Sequence, residues 1–172
     1  MNFWIQTGNP ALLDVDETAD NMADAITLVY PADTEFMILS WNLIPVAVNY
    51  CEDIQVFVDD IVVLLEKIQA PDFTEAHVCT GASSFFSEWW IRRDGNHLVI
   101  DSRWDSVLGN YEFMLNERSK LHVETTVFTG EWLKVLGRLV DDLTTKSVRM
   151  ENEDTFRRAR SLLAASGERD EA

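Results

Sequence analysis

The first 66 residues contain no lysine and no arginine. They contain twelve acids: Asp14, Asp16, Glu17, Asp20, Asp24, Asp33, Glu35, Glu52, Asp53, Asp59, Asp60 and Glu66. Residues 67–172 hold all fourteen bases beside eighteen acids, so of the total charge of −16 the first stretch carries −12. Nucleic acid and anionic membranes are therefore not expected partners, because both would be repelled. A charge that served solubility alone would be spread with both signs mixed. One confined to a single stretch steers a cationic protein partner.

Other things are scarce. The two cysteines, Cys51 and Cys79, stand too far apart for a metal or redox motif, and each is expected to pack as a small buried hydrophobe. Four prolines and seven glycines exclude a fibrous or linker-like chain. No apolar run approaches the roughly 18 residues of a membrane-spanning helix. The start, Met1-Asn2-Phe3-Trp4-Ile5-Gln6, lacks a basic segment followed by an apolar one, so a cytoplasmic protein without a secretory leader is expected. There is no phosphate-binding glycine loop, no Gly-x-Ser-x-Gly, no His-Glu-x-x-His and no Cys-x-x-Cys. The signatures of the commoner enzyme classes are thus missing, and neither an enzyme nor a cofactor is expected.

What is present is enough for a core. Apolar residues make up 47% of 172, with six Trp and nine Phe, which argues for one folded domain over 1–165 and a frayed tail over 166–172. Phe3 to Gln6 predicts a strand. Ala19, Met22, Ala23, Ile26, Val29 and Tyr30 recur at helical spacing and predict a helix over 16–30, with Asp16, Glu17, Asp20 and Asp24 off its apolar face. Residues 35–50 read as one or two strands, with Pro45 at an edge or bulge. Ile54, Phe57, Val58, Ile61, Leu64, Leu65 and Ile68 mark a helix over 52–68. Asp53 lies at its start, and Asp59, Asp60 and Glu66 fall largely off the stripe.

A strand over 73–80 comes next. Segments 85–93 and 97–104 then flank Asp94-Gly95, a hairpin signal. If Arg93 pairs with Asn96, Ile91 faces Leu98, Trp89 faces Ile100 and Phe85 faces Trp104 on the core side. The other face carries Phe86, Glu88, Trp90, Arg92, His97, Val99, Asp101 and Arg103, with Glu88 against Asp101, a like-charge pair that costs stability. A helix or irregular turn over 105–119, a strand over 121–128, a helix capped by Thr129 and a last helix over 153–165 complete the pattern. Consecutive strands with flanking helices predict an α+β fold. Its sheet is mainly antiparallel, with a central hairpin packed against three to five helices. Trp41, Trp89, Trp104 and Trp132 are expected in the core.

Candidate partner contacts follow from charge and from interface preferences. Asp16, Glu17, Asp20, Asp24, Asp53, Asp59, Asp60 and Glu66 are placed to meet Lys or Arg of a basic partner. On the hairpin, Glu88 and Asp101 flank Trp90, an aromatic anchor of the kind that dominates interfaces. Asp59 and Asp60 diverge by about 100° on a helix and do not form a catalytic pair. Glu75 with His77, and His122 with Glu124, each share a strand face. Two such strands side by side would offer a metal two His and two Glu, though isolated strand histidines beside solvated carboxylates are the commoner arrangement.

The Trp89-Trp90-Ile91 to Ile100-Asp101-Ser102-Arg103-Trp104 hairpin, the late Phe128-Thr129-Gly130-Glu131-Trp132-Leu133 helix start and the acidic α+β composition together resemble small bacterial immunity proteins. Those proteins neutralise polymorphic or contact-dependent-inhibition toxins. The resemblance covers most of the chain in style and carries over no residue role. It implies a cytosolic inhibitor, without cofactors, of a basic toxin that is often a nuclease. A metal-dependent enzyme built on Glu75, His77, His122 and Glu124, and an acidic adaptor or subunit of a larger assembly, are the alternatives.

Overall fold

The computed structural model describes residues 2–170, with side chains as far as residue 167. The elements in chain order are β1 (Phe3–Gln6), β2 (Thr18–Ala19), α1 (Met22–Val29), β3 (Met37–Trp41) and β4 (Ile44–Val48). A π-helical turn (Tyr50–Ile54) then leads into α2 (Gln55–Gln69), followed by β5 (Glu75–Cys79), β6 (Phe85–Asp94) and β7 (His97–Val107). The chain continues with α3 (Glu112–Glu117), β8 (Lys120–Glu124), α4 (Thr125–Thr145), β9 (Arg149–Met150) and α5 (Asp154–Asp170). The fold is α+β. Sheets β1-β3-β4 and β5-β6-β7-β8 are antiparallel throughout, and only the short β2/β9 pair is parallel. Among the described residues no helix is long and apolar enough to cross a membrane.

The two larger sheets meet through tryptophans. Trp41 of β3 stacks on Trp89 of β6 with ring centres 5.4 Å apart, and meets Trp104 of β7 edge-on at 5.3 Å. Trp132 of α4 approaches Trp89, and Phe57 of α2 lies between Phe85 and Trp132. The four tryptophans expected in the core are all buried. Offset and edge-on ring pairs of this kind add about 0.5–1.5 kcal/mol each beyond the area they bury.

The central hairpin forms with its turn one residue further on than expected. Asp94 pairs with His97 around Gly95-Asn96. Gly95 supplies φ +60° at the first loop position, the place a type II′ turn reserves for glycine. Ile91 therefore faces Ile100 and Trp89 faces Ser102, and a bulge at Phe86/Ser87 sets Phe85 opposite Val107 rather than Trp104. Both strands slide by one residue together, so side-chain parity survives. Trp89, Ile91, Leu98, Ile100 and Trp104 still point inward. The expected clash of Glu88 with Asp101 does not form. Glu88 faces Arg103, which donates to it at 2.7 Å, and Asp101 faces Trp90.

Three helix starts also differ. The helix expected from residue 16 begins at Met22, because Asn21 caps it by accepting the Asp24 N–H at 3.1 Å. Asp16, Glu17 and Asp20 therefore precede the helix, beside the Thr18–Ala19 pairing with β9. The helix expected at 52 opens as the π-turn, where Asn49 accepts the Glu52 N–H at 3.0 Å. The strand expected over 121–128 stops at Glu124, and Thr129 caps nothing. It lies inside α4, where its hydroxyl donates to the Thr125 carbonyl at 2.8 Å.

At the far end α5 runs to Asp170, so residues 166–170, expected as tail, continue the helix, while 171–172 lie outside the described residues. The cysteine expectation fails as well. Cys79 projects from the outer face of β5 and is exposed, and Cys51 is half-buried.

Candidate protein-binding surfaces

Two surfaces gather the candidate residues. The first is the outer face of the four-stranded sheet, whose inner face rests on the tryptophan core. Its cross-strand rows read Cys79-Glu88-Arg103, then His77-Trp90-Asp101-Lys120, then Glu75-Arg92-Val99-His122. Glu88 is the hub of the first row. It accepts from Arg103 at 2.7 Å and lies 3.2 Å from His77 Nε2. His77 in turn stacks on Trp90 with ring centres 5.2 Å apart. Trp90 is 42% exposed, as an anchor must be. Asp101 is 3.4 Å from Lys120, so it is partly neutralised within the chain.

The second surface is acidic. Of the twelve acids before Lys67, among the described residues only Asp14 and Glu66 meet a base within 4.0 Å, namely Lys146 and Arg158. Asp16, Glu17, Asp20, Asp59 and Asp60 are exposed without an ion pair among the described residues. Asp24 is half-buried, and its carboxylate accepts the Asp20 N–H at 2.9 Å. On α2, burial pushes the Asp60 carboxyl above its ordinary range, and the charge of neighbouring Asp59 pushes the same way. Among the described residues no Lys or Arg lies within 4.0 Å of either carboxylate. α1, which follows Asp16–Asp20, packs directly on α2 and on the π-turn.

Asp53 does not belong to this surface. It is 1% exposed and accepts hydrogen bonds from the Asn49 N–H at 2.8 Å and the Ser84 hydroxyl at 2.7 Å, so it holds the π-turn against the β5–β6 connection. Glu66 is likewise engaged, receiving both Arg158 Nε at 2.9 Å and Nη2 at 2.5 Å. That hydrogen-bonded guanidinium holds the Glu66 carboxyl below its ordinary range. Linkage then sets the sign. The pair's contribution is full above the unfolded carboxylate range and fades as pH falls through the folded value. Arg158→Ala is expected to cost up to ~1 kcal/mol near neutral pH, the ceiling for a partly exposed pair. The gap to wild type should close in acid, as urea melts at stepped pH would show.

The metal arrangement is not assembled. β6 and β7 lie between β5 and β8, so Glu75 and His77 are separated from His122 and Glu124 by three strand spacings, about 14 Å. His122 stacks instead on His97 at 4.8 Å. Among the described residues no cluster of three or more His, Cys, Asp or Glu could hold a metal ion.

No family model, curated protein or solved structure matches this chain.

Sequence reasoning missed one feature. Leu108, Phe113 and Met114, on and just before α3, are exposed, and so is Leu43 at the β3–β4 turn. Asn42 of that turn donates to the carbonyls of Arg118 and Lys120, which ties it to the end of α3. Short helices such as α3 give too little periodicity to assign a face from sequence. A cleft of about 400 Å³ also lies between the ends of α2, α4 and α5. There Arg93 donates to the Ile68 carbonyl and covers the Phe73 ring, which closes the C-terminal end of α2.

Proposed function

We propose that this protein is a non-enzymatic binding module of the immunity-protein kind, acting in the cytoplasm. It would associate with a basic toxin domain and neutralise it by covering its working surface. The observation that carries this reading is the set of exposed acids from the first 66 residues that meet no base among the described residues: Asp16, Glu17, Asp20, Asp33, Glu35, Glu52, Asp59 and Asp60. Adjacent like charges such as Asp59 and Asp60 are tolerated where a partner's Lys or Arg completes them. Trp90, flanked by Glu88 and Asp101 on the open sheet face, supplies an apolar anchor of the type that charge alone lacks.

The test is association with the product of the gene adjacent to its own, together with protection of cells from that product. Loss of both results would end this reading. A second measurement addresses the charge. The variant carrying Asp16→Lys, Glu17→Lys, Asp59→Lys and Asp60→Lys should keep its stability to about 0.5 kcal/mol, since these side chains are exposed. Its association rate at low salt should fall by about tenfold or more, and the difference should vanish near 0.5 M NaCl. A rate that ignores both charge and salt would show that the acids do not steer the partner.

A further inference from the structure

The hydrogen bonding of β5 leaves one side of that strand open. Arg93 N–H bonds to the Thr74 carbonyl and Thr80 N–H to the Ser87 carbonyl, so the even-numbered residues of β5 exchange hydrogen bonds with β6. The N–H and C=O groups of Glu75, His77 and Cys79 therefore point away from the sheet. All three side chains are exposed on its outer face.

The other three edges of the two larger sheets are guarded. On β1 the Ile5 N–H donates to Glu131 at 2.5 Å, and Lys134 donates to the Ile5 carbonyl at 3.1 Å. On β4, Pro45 lacks an N–H and its carbonyl accepts from Tyr111 at 2.7 Å. On β8 the Lys120 carbonyl accepts from Asn42 at 2.9 Å, and Lys120 itself puts a cation on the edge. β5 has no such cover among the described residues, and carries neither Pro nor Lys. An uncovered edge of this kind is a template for another strand, and native sheets normally protect theirs.

We propose that β5 is a docking edge that adds an extended basic segment of a protein partner to the four-stranded sheet. The unpaired backbone groups dictate a strand of about five residues. Side chains dictate its chemistry. A residue beside Glu75 would be Lys or Arg. A residue beside His77 would be apolar or aromatic, extending the His77-Trp90 stack over the surface depression that Glu75, Ala76, His77, Trp90, Ile91 and Arg92 line. A second copy of the chain is the less suitable occupant, because joining two β5 edges brings together two molecules of charge −16. The occupant's charge rests on the basic-partner reading above; its extended backbone rests only on the edge.

The experiment uses the full chain and a fluorescent ten-residue peptide in which Lys and Val alternate along one face, with Thr at every other position, so that Lys can lie beside Glu75 and Val beside His77. Its twin is N-methylated at every second residue, with the same charge but one hydrogen-bonding edge erased. The unmodified peptide is expected to bind at least about tenfold tighter than its twin. It should also slow amide exchange of Glu75, His77 and Cys79 selectively. His77→Pro removes an outward N–H that no internal bond uses, and an edge strand accepts proline there. It should erase the difference between the peptides, while His77→Ala should keep it.

Equal binding of the two peptides overturns the proposal without needing any variant to fold. So does exchange protection away from β5, or a dimer of the free chain that His77→Pro dissolves. If the adjacent-gene product binds wild type and His77→Pro equally, the edge inference fails and the basic-partner reading stands. If that product does not bind while the peptide pair behaves as expected, the reverse holds.

Discussion

Asp142→Ala is expected to destabilise the protein by about 3–5 kcal/mol, the cost of stranding the partners of a buried charge. Asp142 sits on α4, 9% exposed, and its Oδ2 accepts from the Tyr30 hydroxyl at 2.8 Å and from Arg138 Nε at 2.5 Å. Arg138 also donates to the Gly8 carbonyl at 3.3 Å. The network thus ties α1 and the segment after β1 to a helix more than 110 positions away. Burial raises the Tyr30 hydroxyl far above its ordinary value, and its bond to the Asp142 carboxylate raises it further. Without Asp142 the buried Tyr30 hydroxyl would lose its acceptor, and the half-buried guanidinium would keep only the Gly8 carbonyl and the Asn9 side chain. Equilibrium urea unfolding measures the loss. Asp142→Asn keeps an acceptor for Tyr30 and should cost less. A loss under 1 kcal/mol for the alanine variant would show that water replaces the carboxylate at little cost.

Trp41→Ala should cost a similar amount, about 3–5 kcal/mol, for a different reason. The Trp41 ring joins the two larger sheets, stacked on Trp89 and edge-on to Trp104, and meets Phe3 of its own sheet edge-on. Its removal opens a cavity that no single neighbour can fill, because the surrounding rings belong to different strands. Its indole N–H, however, is buried without a hydrogen-bond partner among the described residues, as are those of Trp89 and Trp132. Trp41→Phe deletes that unpartnered donor while keeping most of the ring contact. The two effects oppose each other, and a loss within about 1.5 kcal/mol is expected. Chemical denaturation of the two variants side by side separates packing from polarity. A phenylalanine variant as damaged as the alanine one would mean that the indole shape, not the buried area, holds the sheets together.

Elements with strong periodicity were legible from residues alone. The apolar stripe of α2, the short β1 and the inward parity of the β6–β7 hairpin all follow from spacing, because burial of one face selects residues at 3.6 or 2.0 intervals. The Asn42-Leu43 turn was not legible. Both residues adopt positive φ, at 48° and 69°, without a glycine to mark it, so 35–50 read as one or two strands. The start of α4 was hidden as well. Thr125-Thr126-Val127 has the composition of a strand, but the ladder with β7 ends where the Thr125 N–H bonds to the Asn96 carbonyl, and the chain runs helical from there.

The same division applies to the candidate surfaces. Sequence by itself determined where the charge lies along the chain and that it is unbalanced, since counting needs no geometry. It also determined that Trp90 faces away from Trp89, since strand parity is local. Only the tertiary structure decided which acids are available to a partner. Asp53 turns inward because Asn49 and Ser84 converge on it, and Glu66 is neutralised because α5 brings Arg158 beside α2. Likewise only strand order decided that the two His–Glu pairs stand apart and that β5 has an open edge, because neighbours across a sheet are set by long-range pairing that local spacing does not encode.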